Sequence, residues 1–291
     1  MTATEIMPPE KPAKTVRTRP LSVCLVVSSL EFGGAERQVV ELVSSFDQAR
    51  IRPFVISLSN KVPLSKMLPN NAECLSIVAK KGRFDISTIF RVAEVLRQRN
   101  IDVVHAFLFD AEVITRLAAR FTKVKLVVAS ERNTNYSQPA FQKLALKVTQ
   151  PFFDVMIANS EAGKQFNVKT RGIKPSRIEV VRNGVDVKRF SPNPAAGAAI
   201  RAELGIAASD PVVGMVGSFK YQKGHEFFLR MAAEVRKEFP NAWFLVLGEV
   251  PERANPAYYH ETLALAKSLS LGDRCRFLGA RNDMDAVAET Q

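Results

Sequence analysis

The chain has 291 residues, 46% of them hydrophobic, which is too long for one ordinary α/β layer and suits two domains with buried cores. Its net charge of +12 is unevenly placed: residues 21–190 hold 26 basic and 15 acidic side chains, and residues 191–291 hold 11 and 12. The positive field therefore belongs to the first large segment and calls for an anionic partner there, which excludes a uniformly basic coat.

Cys24, Cys74 and Cys275 lie far apart among apolar neighbours, a spacing that suits neither a metal site nor a disulfide framework. They read as buried thiols of a reducing compartment. No phosphate-binding loop with a Gly-Lys-Ser or Gly-Lys-Thr ending occurs, which argues against a P-loop nucleotidase.

Residues 1–20 contain Pro8, Pro9, Pro12 and Pro20 with few apolar side chains and predict a disordered tail. Lys11, Lys14, Arg17 and Arg19 followed by the apolar run 21–30 have the layout of a signal peptide. The run ends on Glu31, Gly33 and Gly34 without a small-residue cleavage site, so it is read as a first strand. No apolar run reaches the ~20 residues of a spanning helix. A cytoplasmic protein is expected, peripheral at the inner face of the membrane.

Apolar runs of strand length then alternate with segments of helical period, the pattern of a parallel sheet covered by helices. Strands are predicted at 23–28, 53–58, 74–78, 103–106, 126–129, 155–158 and 178–181. The helices between them fall at 35–46, 86–99, 111–121, 141–149 and 161–170. Seven strands with right-handed crossovers make a complete doubly wound domain over residues 21–190. Asn183-Gly184 is a turn signal, and Ser191-Pro192-Asn193-Pro194 is read as linker. Alternation restarts with strands at 212–216, 243–247 and 276–278 and helices at 224–238 and 258–269. This is half of a second Rossmann-like domain, so residues 191–291 are expected to leave one sheet edge and one helix-facing surface uncovered.

Gly33 and Gly34 open a helix after the first strand. Glycines admit close approach of a ligand to backbone N–H groups, and a helix start favours negative charge. A tight structural turn reads equally well. In the second segment Lys220 and Lys223 precede Gly224 at another helix start, where they suit a diphosphate or form a solvated pair. His105 is predicted near the C-terminal end of a strand, where open sheets bind ligands, and a structural histidine fits as well. His225 and His260 read as surface residues. Asp283-Met284-Asp285 reads as a helix cap, because two carboxylates underfill a six-coordinate cation site.

Gly33-Gly34-Ala35-Glu36, Ala158-Asn159-Ser160-Glu161, Arg182-Asn183-Gly184-Val185-Asp186 and Arg189-Phe190-Ser191-Pro192 occur in an order that resembles family-4 retaining glycosyltransferases of GT-B fold. Val216-Gly217, Lys223-Gly224, Leu247-Gly248 and Phe277-Leu278-Gly279 continue the pattern. The resemblance implies a first domain that binds a lipid-linked or saccharide acceptor and a second that binds a nucleotide-sugar, with transfer in the cleft and retained configuration. It implies no cofactor and no metal. Gly33 and Gly34 match the loop that approaches donor phosphate, and Lys223 matches the basic residue on the diphosphate.

There are departures. Ser218 stands where members commonly have Arg, which leaves Lys220 as a stand-in. Ser130-Glu131-Arg132-Asn133 replaces a segment in which many members carry a His. The acidic pair that grips the donor falls beyond Gln291 in this pattern, so the chain by itself is expected to be C-terminally truncated and inactive. Alternatives are an epimerase, an inverting transferase with His105 or Glu131 as base, or a non-catalytic fragment that binds an acceptor or an anionic membrane surface. Nucleic acid is not an expected partner, because interleaved aromatics on a recognisable motif are missing.

Overall fold

The computed structural model describes residues 19–69, 71–82, 85–130, 132, 138–188, 190–248, 256–281 and 283–290. Two compact units divide the chain, one ending at Gly184 and one beginning at Val185.

The first unit is built on a seven-stranded parallel sheet in the order β3-β2-β1-β4-β5-β6-β7. Its strands are β1 (Leu21–Val27), β2 (Ile51–Ser57), β3 (Leu75–Ile77), β4 (Val103–Phe107), β5 (Leu126–Ser130), β6 (Val155–Ala158) and β7 (Ile178–Val180). The connecting helices are α1 (Gly34–Ser45), the single turn α2 (Asn71–Cys74), α3 (Ser87–Gln98), α4 (Phe109–Ala119), α5 (Ala140–Thr149) and α6 (Glu161–Arg171). Side chains alternate across the pleat, so Cys24, Val26, Phe54, Ile56, Val104 and Ala106 enter one core with Val92 and Ala93 of α3 and Ile114 of α4. Leu25, Val27, Val55 and Phe107 enter a second core with Val39, Val40 and Val43 of α1. Both faces are thus buried, which is why these strands read as continuous apolar runs.

At the N-terminal end of the sheet, Asp102 is buried and accepts from Ser22 N–H (3.1 Å), Lys125 Nζ (2.9 Å) and Arg19 Nη2 (3.0 Å). Burial opposes its charge, but these donors prevail and hold the carboxyl down at about 2. This cluster staples the start of β1 to β4, at the edge opposite the strand ends where open sheets bind ligands.

The second unit has a three-stranded parallel sheet, β10-β9-β8, from β8 (Val212–Val216), β9 (Trp243–Leu247) and β10 (Cys275–Gly279). Its helices are α7 (Pro194–Leu204), α8 (His225–Glu238), α9 (Pro256–Ser268) and α10 (Met284–Ala288). The sequence marks 191–194 only as linker, but Asn193 caps α7 by accepting from Ala196 N–H (3.2 Å), and Pro194 occupies its first turn. Both faces of this sheet are covered, contrary to the expectation of an open one. Ile200, Leu204 and Val287 from α7 and α10 pack on one face, and Leu229, Ala232 and Ala266 from α8 and α9 on the other.

Candidate functional site

In the first unit the strand order reverses between β1 and β4, and open parallel sheets bind ligands at such a point, outside the C-terminal strand ends. Gly33 is the N-cap of α1 and brings no side chain of its own, while the Glu36 carboxyl lies close against it. The first-turn N–H groups of Gly34 and Ala35 therefore lie at the positive end of the helix dipole. A Cβ at Gly33 would meet the Glu36 carboxyl, with its carbon at 3.0 Å, while Gly34 has nothing within 4 Å of a Cβ. Gly33 is thus packed under its own helix, and Gly34 faces open space.

His105 lies in the middle of β4, between Leu25 of β1 and Val128 of β5, rather than near the strand end where the sequence places it. Its ring packs 4.2 Å from that of Phe107, and Nε2 is buried with no hydrogen-bond partner among the described residues. Burial, helped by the nearby Arg132 charge, pushes its pKa down to about 3. At neutral pH it is a neutral imidazole that can share a hydrogen bond but is a poor general base. Glu131, the other candidate base, lies outside the described residues.

Directly after β4 the backbone is strained. Leu108, the N-cap of α4, has φ 69° and ψ 171°, a conformation an L side chain rarely adopts. Its N–H donates to Ser130 C=O (3.3 Å), so the strain fixes the end of β4 against the end of β5.

Arg132 ties this edge together, a role the sequence did not reveal. Its Nε donates to Ser130 Oγ (3.0 Å), its Nη1 donates to Asn183 Oδ1, and its guanidinium stands 5.2 Å from the centre of the Phe107 ring. Ser130 Oγ in turn faces Ile157 C=O (3.3 Å) on β6. One arginine thus connects the ends of β4 and β5 with the segment after β7. Among the described residues no carboxylate pairs with it, and burial pulls its pKa below the ordinary arginine value. The only signal in the sequence was an arginine just past an apolar strand.

A cavity of about 700 Å³ lies elsewhere in this unit, between α5 and α6. It overlies the buried pair Glu112–Arg116, and none of the candidate residues lines it.

The second unit repeats the logic on its own sheet. Gly217, Gly248 and Gly279 stand at the C-terminal ends of β8, β9 and β10. Gly217 N–H donates to Leu247 C=O (2.8 Å), and Gly248 N–H donates to Gly279 C=O (2.9 Å). Lys223 is exposed, and its methylenes lie 3.4 Å from a Cβ built at Gly217, so its stem rests on the strand end. Gly224 caps α8 with φ 75°, a left-handed conformation that favours glycine, and the Tyr258 hydroxyl reaches the backbone N–H groups of His225 and Glu226 at that helix start. Lys220 is exposed and opens the short 3₁₀ turn Tyr221–Lys223.

His225 is not a surface residue. It is 1% exposed, with its ring stacked on buried Phe219 (4.5 Å) and edge-on to Tyr258 (5.8 Å), which fixes the turn carrying Lys223. His260 is exposed. Asp283 precedes α10 without capping it; its carboxylate is instead gripped by Arg281 (2.9 and 2.7 Å), which also holds Glu203.

A sequence profile described as Glycosyltransferase Family 4 matches residues 32–189, more than half of the chain. The chain belongs to glycosyltransferase family 4. A second profile, Glycosyl transferases group 1, matches residues 198–290. Among relatives of this family-4 chain, EpsF of Bacillus subtilis is 25% identical over 236 residues, covering 78% of this chain and 61% of EpsF. The UDP-Gal:alpha-D-GlcNAc-diphosphoundecaprenol alpha-1,3-galactosyltransferase of Escherichia coli is 23% identical over 213 residues, covering 70% of this chain and 53% of the enzyme. The chain thus spans less than two thirds of the length of either relative. The crystal structure of Anabaena HepE in complex with UDP and glucose superposes with a TM-score of 0.78 at 18% identity, over 93% of this chain and 72% of HepE. That likeness establishes the GT-B fold for this family-4 chain.

Proposed function

We propose that the protein transfers a sugar from a nucleotide-sugar donor to a lipid-linked or saccharide acceptor with retention of configuration. The first unit would serve the acceptor and the second the donor. The observation that carries this reading is the Lys223 side chain laid over Gly217, beside the start of α8, at the mouth of a parallel sheet. A cation next to the positive end of a helix dipole suits a diphosphate. HepE with UDP and UDP-glucose, and the E. coli relative named for a UDP-Gal donor, support it.

Sugar transfer passes through an oxocarbenium-like state, so positive charge develops on the sugar while negative charge gathers on the leaving diphosphate. Lys223, Lys220 and the amides of α8 would stabilise that diphosphate, and Gly33 and Gly34 would bring the amides of α1 against the phosphate next to the sugar. As the bond to the sugar breaks, the departing phosphate oxygen takes the acceptor hydroxyl proton, so no strong protein base is required. This agrees with a neutral His105, which serves as a hydrogen-bonding wall of the acceptor side. The +11 balance of residues 21–190 supports peripheral attachment to an anionic inner membrane face, where a lipid-linked acceptor would reside.

Calorimetry with UDP, UDP-sugars and uridine tests the donor reading. Lys223→Gln is expected to weaken UDP about tenfold and leave uridine unchanged, since a hydrogen bond to a charged group is at stake. Equal loss for uridine, or none for UDP, sinks the placement of the diphosphate.

A further inference from the structure

We propose that Arg132 is the centre of an oxyanion subsite in the first unit, which takes a phosphoryl group of a substrate. The proposal rests on the transferase reading above and adds to it a second, separate place for phosphate.

The argument starts from the company Arg132 keeps. A half-buried guanidinium normally has a carboxylate against it, because an uncompensated charge withdrawn from water is costly. The buried arginine of this unit follows the rule: Arg116 is paired with Glu112. Arg132 does not. Its hydrogen-bond partners are a hydroxyl, Ser130, and an amide oxygen, Asn183, and its face lies against the Phe107 ring. These neutral groups fix the plane of the guanidinium without cancelling its charge. His105, close enough to feel the Arg132 charge, is held uncharged and presents a buried Nε2 with no partner among the described residues.

Geometry then selects the ligand. Ser130 and Asn183 engage Nε and Nη1, which leaves Nη2 and the free edge of the fork for a planar or tetrahedral oxyanion. The place is the C-terminal edge of the sheet, beside the switch point and the strained Leu108, where open sheets bind ligands. Strain and an uncompensated cation on the same strand ends are hard to reconcile with a purely structural role, since either alone destabilises the fold. The phosphoryl group could be the acceptor's own or belong to the donor diphosphate. The chemistry at Arg132 is the same for both.

The test is calorimetric titration of the full chain at low salt with two probes, methyl phosphate and UDP, in wild type, Arg132→Gln, Arg132→Lys and Lys223→Gln. Thermal melts confirm that each variant is folded. Arg132→Gln is expected to weaken one probe by about tenfold or more, and Arg132→Lys to restore part of it, because the charge remains while the fork is lost. Loss confined to methyl phosphate assigns the site to the acceptor; loss of UDP in both Arg132→Gln and Lys223→Gln assigns it to the donor. Unchanged affinity for both probes in folded Arg132→Gln overturns the proposal. Wild-type chain that binds methyl phosphate through Arg132 but not UDP would sink the donor reading and leave this site standing.

Discussion

Gly248, just past β9, lies directly beneath the carbonyl of Gly217, just past β8: a Cβ built at 248 would fall 2.6 Å from the Gly217 carbonyl carbon and closer still to its oxygen. The obstacle is backbone at the end of β8, so it cannot swing aside as a side chain would. Gly248→Ala is therefore expected to destabilise the second unit by about 1–3 kcal/mol and to displace the Gly217–Lys223 turn. Denaturant melts monitored by Trp243, which lies in β9 of the same sheet, check it.

The opposite behaviour is expected at Gly34, where a side chain meets nothing within 4 Å. Gly34→Val is expected to leave the melting free energy within about 0.5 kcal/mol of wild type while it weakens UDP-sugar binding, if α1's amides approach donor phosphate. A stability loss that accounts for the binding loss would make this turn structural only.

His105 predicts a pH dependence of stability. Its folded pKa of about 3 lies below the ordinary 6.5, so between these values the unfolded chain binds a proton that the native chain refuses. Stability then falls as pH is lowered through that window, at up to ~1.4 kcal/mol per pH unit from this residue, and is unaffected by it above the window. His105→Asn should flatten the slope of the urea-derived free energy between pH 6.5 and the onset of carboxylate titration. An unchanged slope would show that His105 takes up its proton while folded.

Glu112 is fully buried, and Arg116 is paired with it on the next turn of α4, with Arg171 at 3.9 Å. Glu112→Gln would remove this buried carboxylate from the two guanidinium groups and is expected to cost about 3–5 kcal/mol. Equilibrium unfolding in urea measures it. A change below ~1 kcal/mol would mean that water reaches the pair.

Attachment to membranes should follow charge. Co-sedimentation with vesicles containing anionic lipid is expected to fall steeply as salt rises from low to physiological strength, since the Debye length shrinks to ~8 Å. Binding to neutral vesicles of equal strength would count against an electrostatic origin.

The ten strands of the described residues are legible from the sequence, because a strand buried on both faces must be apolar throughout, as Trp243–Leu247 is. The helix α7 escapes the sequence pattern although Asn193 and Pro194 supply its cap and first turn, because prolines at 192 and 194 also signal a break. Gly224 at the start of α8 is visible because the left-handed backbone there favours glycine.

What the sequence by itself determined was the order of strands and helices and the family signature, both of which depend on local periodicity and spacing. What only the tertiary structure decided was the state of particular side chains. His225 looks like any helix-surface histidine until Phe219 folds onto it. His105 becomes a neutral imidazole only when β1 and β5 bury it from both sides. Arg132 gains its place only where the ends of β4 and β5 meet Asn183, 51 residues further along the chain. Burial and charge compensation are sums over neighbours distant in sequence, and no local pattern encodes them.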